Sequence, residues 1–173
     1  MKGLQSAAPD APAVYGVGSP QWVFRTAADP VARWCDAVAD HGIDRVCCLL
    51  SERQVAAYDG LLDRYRERFG ADAVRHAPVT DHELPSVDTL VDEVLPFLAE
   101  ASADSPAVVH CHAGIGRTGV ALAAYLVAEC DYTVDDAVVT VSDRGRDPAD
   151  AVRSGNATSE ELDATLAAVG REW

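Results

Sequence analysis

The chain has 173 residues, 49% of them apolar and 24% charged, which excludes a wholly disordered protein and fits one domain of ordinary size. Acidic residues number 28 against 14 basic ones, and a formal net charge of −14 excludes nucleic acid and anionic membranes as principal partners. Lys2 is the only lysine, an acidic, Ala-rich and Lys-poor composition that fits a halophilic source and an ordinary acidic cytosolic protein alike.

Residues 1–13 are rich in Pro and Ala and are expected to be loosely ordered; 14–173 form one domain. Asp29-Pro30 is an N-cap followed by proline at the first helical position, and the spacing predicts a helix over 30–41 that Gly42 stops. The apolar run 43–50, IDRVCCLL, reads as a buried strand. Ser51 and Gln54 make a capping box, and apolar residues at helical spacing from Val55 to Phe69 predict one helix ending before Gly70. A strand over 74–79 is ended by TDHELPS, and Ser86 caps a helix in which Pro96 predicts a kink or an early end. A short strand over 107–110 runs into a glycine-studded turn and then into a helix over 117–130, apolar nearly all round. Thr133 with Asp136, and Thr158 with Glu161, open two more helices. This alternation predicts an α/β fold with helices covering a mostly parallel sheet.

The five cysteines, Cys35, Cys47, Cys48, Cys111 and Cys130, cannot all pair within the chain, and no apolar run near the N-terminus has the length of a secretion signal. A cytoplasmic location is expected. The longest apolar stretch, 120–128, is about half of the ~20 residues that a membrane span needs.

Chemistry concentrates in HCHAGIGRTG, residues 110–119. Gly114 and Gly116 let the backbone curl so that successive amides point inward at a helix N-terminus, which suits a phosphate. Arg117 can grip two phosphate oxygens side by side. Cys111, at the centre of these dipoles and beside a cation, is placed to act as a thiolate nucleophile toward a phosphate monoester. Thr118 can steady the sulfur, and His110 can fix the loop through backbone carbonyls. The anion would meet the amides of His112, Ala113, Gly114, Ile115, Gly116 and Arg117.

The pattern HC-x-x-G-x-x-R-T, matched by His110, Cys111, Gly114, Arg117 and Thr118, resembles the signature of the cysteine-based tyrosine and dual-specificity phosphatases, in particular the small atypical dual-specificity type. The resemblance covers about residues 14–141. It implies the phosphotyrosine-phosphatase fold, no cofactor and no metal, and a phosphocysteine intermediate. It also implies a general acid on a loop about thirty residues before the cysteine. Asp81, ahead of Pro85, fits that place; Glu83 and Asp88 are the alternatives, read as a solvated side chain and first-turn helix charge. No glutamine follows Gln54, so placement of the hydrolytic water falls to Asp81 alone, and Arg144 and Arg146 read either as phosphate ligands or as surface ion pairs.

These residues point to a monomeric phosphatase acting on a phosphorylated protein or peptide, on phosphotyrosine and on phosphoserine or phosphothreonine. The alternatives are a non-catalytic phosphate-binding module and a phosphatase for a non-protein ester. The resemblance also implies that inositol lipids are disfavoured, since members of this superfamily that act on them typically carry lysines inside the loop, where this chain has Ala113 and Ile115. A metal site at His110-Cys111-His112 is disfavoured because neighbours on a strand face opposite ways. Cys47 and Cys48 read as core residues, with a protective disulfide to Cys111 as the alternative. Trp22, Trp34 and Trp173 read as packing residues.

Overall fold

A computed structural model describes all 173 residues. Five strands form one sheet: β1 (Gln5–Ala8), β2 (Ala11–Gly18), β3 (Arg45–Cys48), β4 (Val74–His76) and β5 (Ala107–Cys111), in the order β1-β2-β5-β3-β4. Only β1 runs antiparallel to its neighbour; β2, β5, β3 and β4 are parallel. The expected α/β architecture is therefore present, with β5 at the centre, where both faces are covered.

The alternation along β5 assigns the two cores. Val108 and His110 face a layer made by α2 (Pro30–Ala39) and α4 (Leu61–Phe69), around buried Trp34 and Tyr65. Ala107, Val109 and Cys111 face the other layer, made by α5 (Leu95–Ala99), α6 (Gly116–Glu129), α7 (Val134–Asp143) and α9 (Ser159–Glu172). Three one-turn helices complete the chain: α1 (Pro20–Val23), α3 (Glu52–Val55) and α8 (Asp150–Arg153). No helix is long and apolar enough to cross a membrane.

The caps act where the sequence places them. Asp29, Thr133 and Thr158 each accept the amide of the third residue on, and the Ser51–Gln54 and Thr158–Glu161 boxes are closed in both directions.

Four expectations change. The first residues are not loose: Gln5–Ala8 pair with β2, because Ala7, Ala8 and Ala11 are small enough to bury completely against the helices and Arg144 donates to the Ser6 carbonyl and hydroxyl at 2.6 and 2.7 Å. The single helix expected from Ser51 to Phe69 is two, α3 and α4, since Gly60 takes a left-handed conformation (φ 65°) between them. Only Val74–His76 of the expected strand 74–79 pairs with β3. Pro96 does not end its helix: the turn Thr89–Val94 widens to π geometry, with the Leu95 amide donating to the Leu90 carbonyl, so the chain runs on through the proline.

Candidate active site

β5 ends at Cys111 and α6 begins at Gly116, leaving residues 112–115 to turn the chain at the carboxyl edge of the parallel strands. Gly114 takes φ 74°, and a Cβ there would strike the Val17 carbonyl and the Gly18 amide. A Cβ at Gly116 would come within 2.6 Å of the Asp150 carboxylate. Both glycines are thus demanded by the turn and its neighbours.

No amide from His112 to Thr118 donates to any acceptor in the protein. Seven successive N–H groups are left free in a curled loop and first helical turn, an arrangement that collects an anion. Cys111 stands at its base, 3% exposed.

Beneath the loop, His110 is fully buried. Its Nδ1 lies 3.2 Å from the Cys111 carbonyl, which can only accept, so Nδ1 carries the proton and Nε2 accepts from the Tyr65 hydroxyl at 3.3 Å. Burial drives the His110 pKa down to about 4, which keeps it neutral in this role. Trp34 stacks on Tyr65 and donates its indole N–H to the Gly18 carbonyl at 2.9 Å, fixing the strand beside the loop.

Arg117 is 4% exposed and its donors can be accounted for individually. Nη1 serves the Leu49 and Val79 carbonyls and Gln54 Oε1 at 3.2, 2.9 and 2.8 Å, and Nη2 donates to Asp81 Oδ1 at 2.6 Å. Two N–H groups remain, on Nε and on Nη2. They share one edge of the guanidinium, the edge that meets two oxygens of one phosphate. Of the three acids considered upstream, Asp81 alone reaches the site. Glu83 and Asp88 are exposed and make no contact with it.

Gln54 was legible only as a helix cap. In the structure its Oε1 accepts from Arg117 while its Nε2 donates to Asp81 Oδ2 at 3.2 Å, so one side chain ties the guanidinium to the carboxylate. Thr118 is fully buried and its hydroxyl has no hydrogen-bond partner, the expected bond to Cys111 included.

The segment after residue 143 also belongs to the site. Arg146 is not half of a surface pair: it is 7% exposed and donates to the carbonyls of Gly114 and Gly16 at 2.5 Å each and of Gly3 at 2.8 Å. Burial lowers its pKa to about 10, which leaves it charged at neutral pH beside Cys111. The Asp81 loop is held from the same segment. His82, at φ 59°, lies 3.0 Å from Asp150, and its carbonyl accepts from Asn156 at 3.0 Å. Cys47 and Cys48 are fully buried thiols, pushed upward by burial, Cys48 to about 12, and Cys47 faces away from Cys48 across the sheet; no disulfide joins either to Cys111.

Comparison with known proteins bears on this arrangement directly. The family described as "Polymorphic toxin system, DSP-PTPase phosphatase" matches residues 24–131, more than half of the chain. Protein tyrosine phosphatase domain-containing protein 1 of Bos taurus is 39% identical over 61 residues, 35% of this chain and 8% of that protein. Phosphatidylinositol 3,4,5-trisphosphate 3-phosphatase cnrN of Dictyostelium discoideum is 34% identical over 101 residues, 56% of this chain and 16% of that protein. The chain thus spans a small part of the length of these curated relatives. Among solved structures, Tk-PTP in its active form superposes with a TM-score of 0.71 at 22% identity, over 99% of this chain and 98% of that one. PTPMT1 in complex with PI(5)P gives a TM-score of 0.69 at 15% identity over 98% of each chain. These two share the fold. Given the family match over 24–131, more than half of the chain, this chain belongs to the DSP-PTPase phosphatases.

Proposed function

We propose that the protein hydrolyses phosphate monoesters on protein side chains through a phosphocysteine on Cys111. The observation that carries this reading is the set of seven acceptor-free amides around a buried cysteine, completed by the free edge of Arg117. The Cys111 thiolate attacks phosphorus, an S–P bond forms, and the bond from phosphorus to the side-chain oxygen breaks. Asp81 gives that oxygen its proton. Water then attacks phosphorus while the Asp81 carboxylate takes a proton from that water, the S–P bond breaks with its electron pair returning to the Cys111 sulfur, and inorganic phosphate leaves. Charge developing on the equatorial oxygens is met by the amides and by Arg117, which are already in place. The partnerless Thr118 hydroxyl is available to donate to the sulfur as it departs, and neutral His110 holds the loop from below.

Dual specificity is supported by the shortness of the elements beside the loop. The wall on one side is α1, a single turn, and on the other the short loop carrying Asp81. A shallow cleft admits the shorter phosphoserine and phosphothreonine as well as phosphotyrosine. Phosphoprotein is preferred to an inositol lipid because the loop positions Ala113 and Ile115 carry no charge.

The test is hydrolysis of an aryl phosphate and of phosphotyrosine, phosphoserine and phosphothreonine peptides, with chelator present and Cys111→Ser beside the wild type. The expected result is turnover on all three peptides that falls at least about 10⁴-fold in the variant. Chelator-insensitive turnover that survives in Cys111→Ser would overturn the mechanism, and absence of turnover by folded protein would leave a phosphate-binding module.

A further inference from the structure

A cavity of about 460 Å³ opens beside the loop, lined among others by Gly18, Trp22 and Ala113 and by three charged side chains, Lys2, Arg25 and Arg146. Gly18 pairs in register with Cys111, and Ala113 is two residues beyond it, so the cavity shares a wall with the phosphate cradle. No carboxylate lines it.

That charge pattern is unusual for this molecule. Acids outnumber bases two to one in the chain, seven arginines are paired with carboxylates, and Arg144 and Arg146 are engaged by backbone carbonyls. Lys2 and Arg25, like Arg33, Arg53 and Arg171 elsewhere, have no carboxylate partner; both are exposed, and Lys2 is the only lysine. The tail bearing Lys2 is held at this place, since Arg146 donates to the Gly3 carbonyl as well as to the cradle. Beside the cations, Trp22 presents an aromatic wall that is 52% exposed.

We infer that this cavity is a second anion subsite, which takes a phosphate or carboxylate flanking the phosphorylated residue of a peptide substrate. The inference rests on the phosphatase reading and names its substrate class. Cations in a cavity beside the cradle, with uncharged Ala113 and Ile115 within the cradle, suit a peptide chain that crosses the cavity as it leaves the cradle. The apolar face of Trp22 suits the stem of a peptide side chain.

The test compares kcat/KM for phosphotyrosine peptides with neutral flanks, with acidic flanks, and with a second phosphate one to three residues to either side, and includes a soluble inositol bisphosphate. Wild type is expected to prefer the best doubly phosphorylated peptide about tenfold over the neutral one, and Lys2→Gln/Arg25→Gln to bring that ratio near unity. Both positions are exposed, so the double variant tests recognition without disturbing the core. Equal rates on all peptides, or a preference that persists in the double variant, would overturn the subsite. Inositol bisphosphate turned over faster than every peptide, with that advantage lost in the variant, would overturn the peptide as its carrier. Failure to hydrolyse even the aryl phosphate would instead overturn the phosphatase reading itself, and the subsite with it.

Discussion

The two loops that meet at Arg117 are held in opposite ways. The cradle, residues 112–115, is gripped from inside: Gly114 is packed on β2, Arg146 binds its carbonyl, and His110, Tyr65 and Trp34 brace its base, with Arg146, His110, Tyr65 and Trp34 all buried. The Asp81 loop is held from outside, by bonds that each have an exposed residue as a partner: Asp81 to buried Arg117 and to Gln54, His82 to Asp150, Asn156 to the His82 carbonyl. Buried bonds are strong and slow to open, whereas half-exposed ones are weak and easily exchanged. The difference separates two duties. On the proposed mechanism, the part that would bind charge is preorganised, and the part carrying Asp81 would let go of Arg117 to reach the leaving oxygen.

That contrast can be broken from either side, beginning where the loss is largest. Asp81→Asn removes the proton donor from the loosely held loop; kcat is expected to fall about 100- to 1,000-fold on phosphoserine peptides and far less on an aryl phosphate with a good leaving group, with the melting temperature almost unchanged. Steady-state kinetics against a leaving-group series, alongside thermal unfolding, checks both halves of that statement. Arg146→Met strikes the tightly held loop, leaving three carbonyls without their donor, and should lower stability by about 3 kcal/mol in urea unfolding, with turnover lost alongside.

Acid should also find the cradle side. His110 takes a proton near the usual imidazole range when unfolded but only at about pH 4 when folded. Between those values the unfolded chain binds more protons, so stability should fall by about 3 kcal/mol as pH drops from about 6.5 to 4. Urea unfolding across that range should show the slope in wild type and a flatter one in His110→Gln. The smallest effect belongs to the outer loop. Gln54→Leu unties Asp81 from Arg117 and should cost about fivefold in kcat with little change in KM, at about 1 kcal/mol of stability for the lost cap. A change in KM alone would show that Gln54 serves binding.

The distribution of what was legible follows the same line. Capped and periodic elements, such as the helix from Pro30 and the one from Thr158, could be read because their signals are local, three or four residues apart. Cys111, Arg117 and the curled glycine loop could be read for the same reason, being one continuous stretch. What stayed hidden depends on contacts between distant segments. Gln54 shows only its capping partner in the sequence, while its two site partners lie 27 and 63 positions away. Arg146 looks like any arginine on a charged surface until its three carbonyl acceptors are seen. Alanines 7, 8 and 11 carry no strand signal, because their value is small size at a crowded edge. The break at Gly60 was masked by apolar spacing that continues in phase across two helices.

Arg146 also has a consequence for how the enzyme comes into being. The ribosome delivers β2, the nucleophile and the cradle loop well before it delivers the residue that locks them, and synthesis at about 5–20 residues per second puts that gap on the order of seconds. During that interval the nascent chain carries its reactive thiol on an unsecured loop. The lock is supplied by the last third of the chain, so a fragment halted before residue 146 holds every residue of the signature and lacks the bond that shapes it. The shape of the cradle thereby waits on a single arginine made about 35 residues after Cys111.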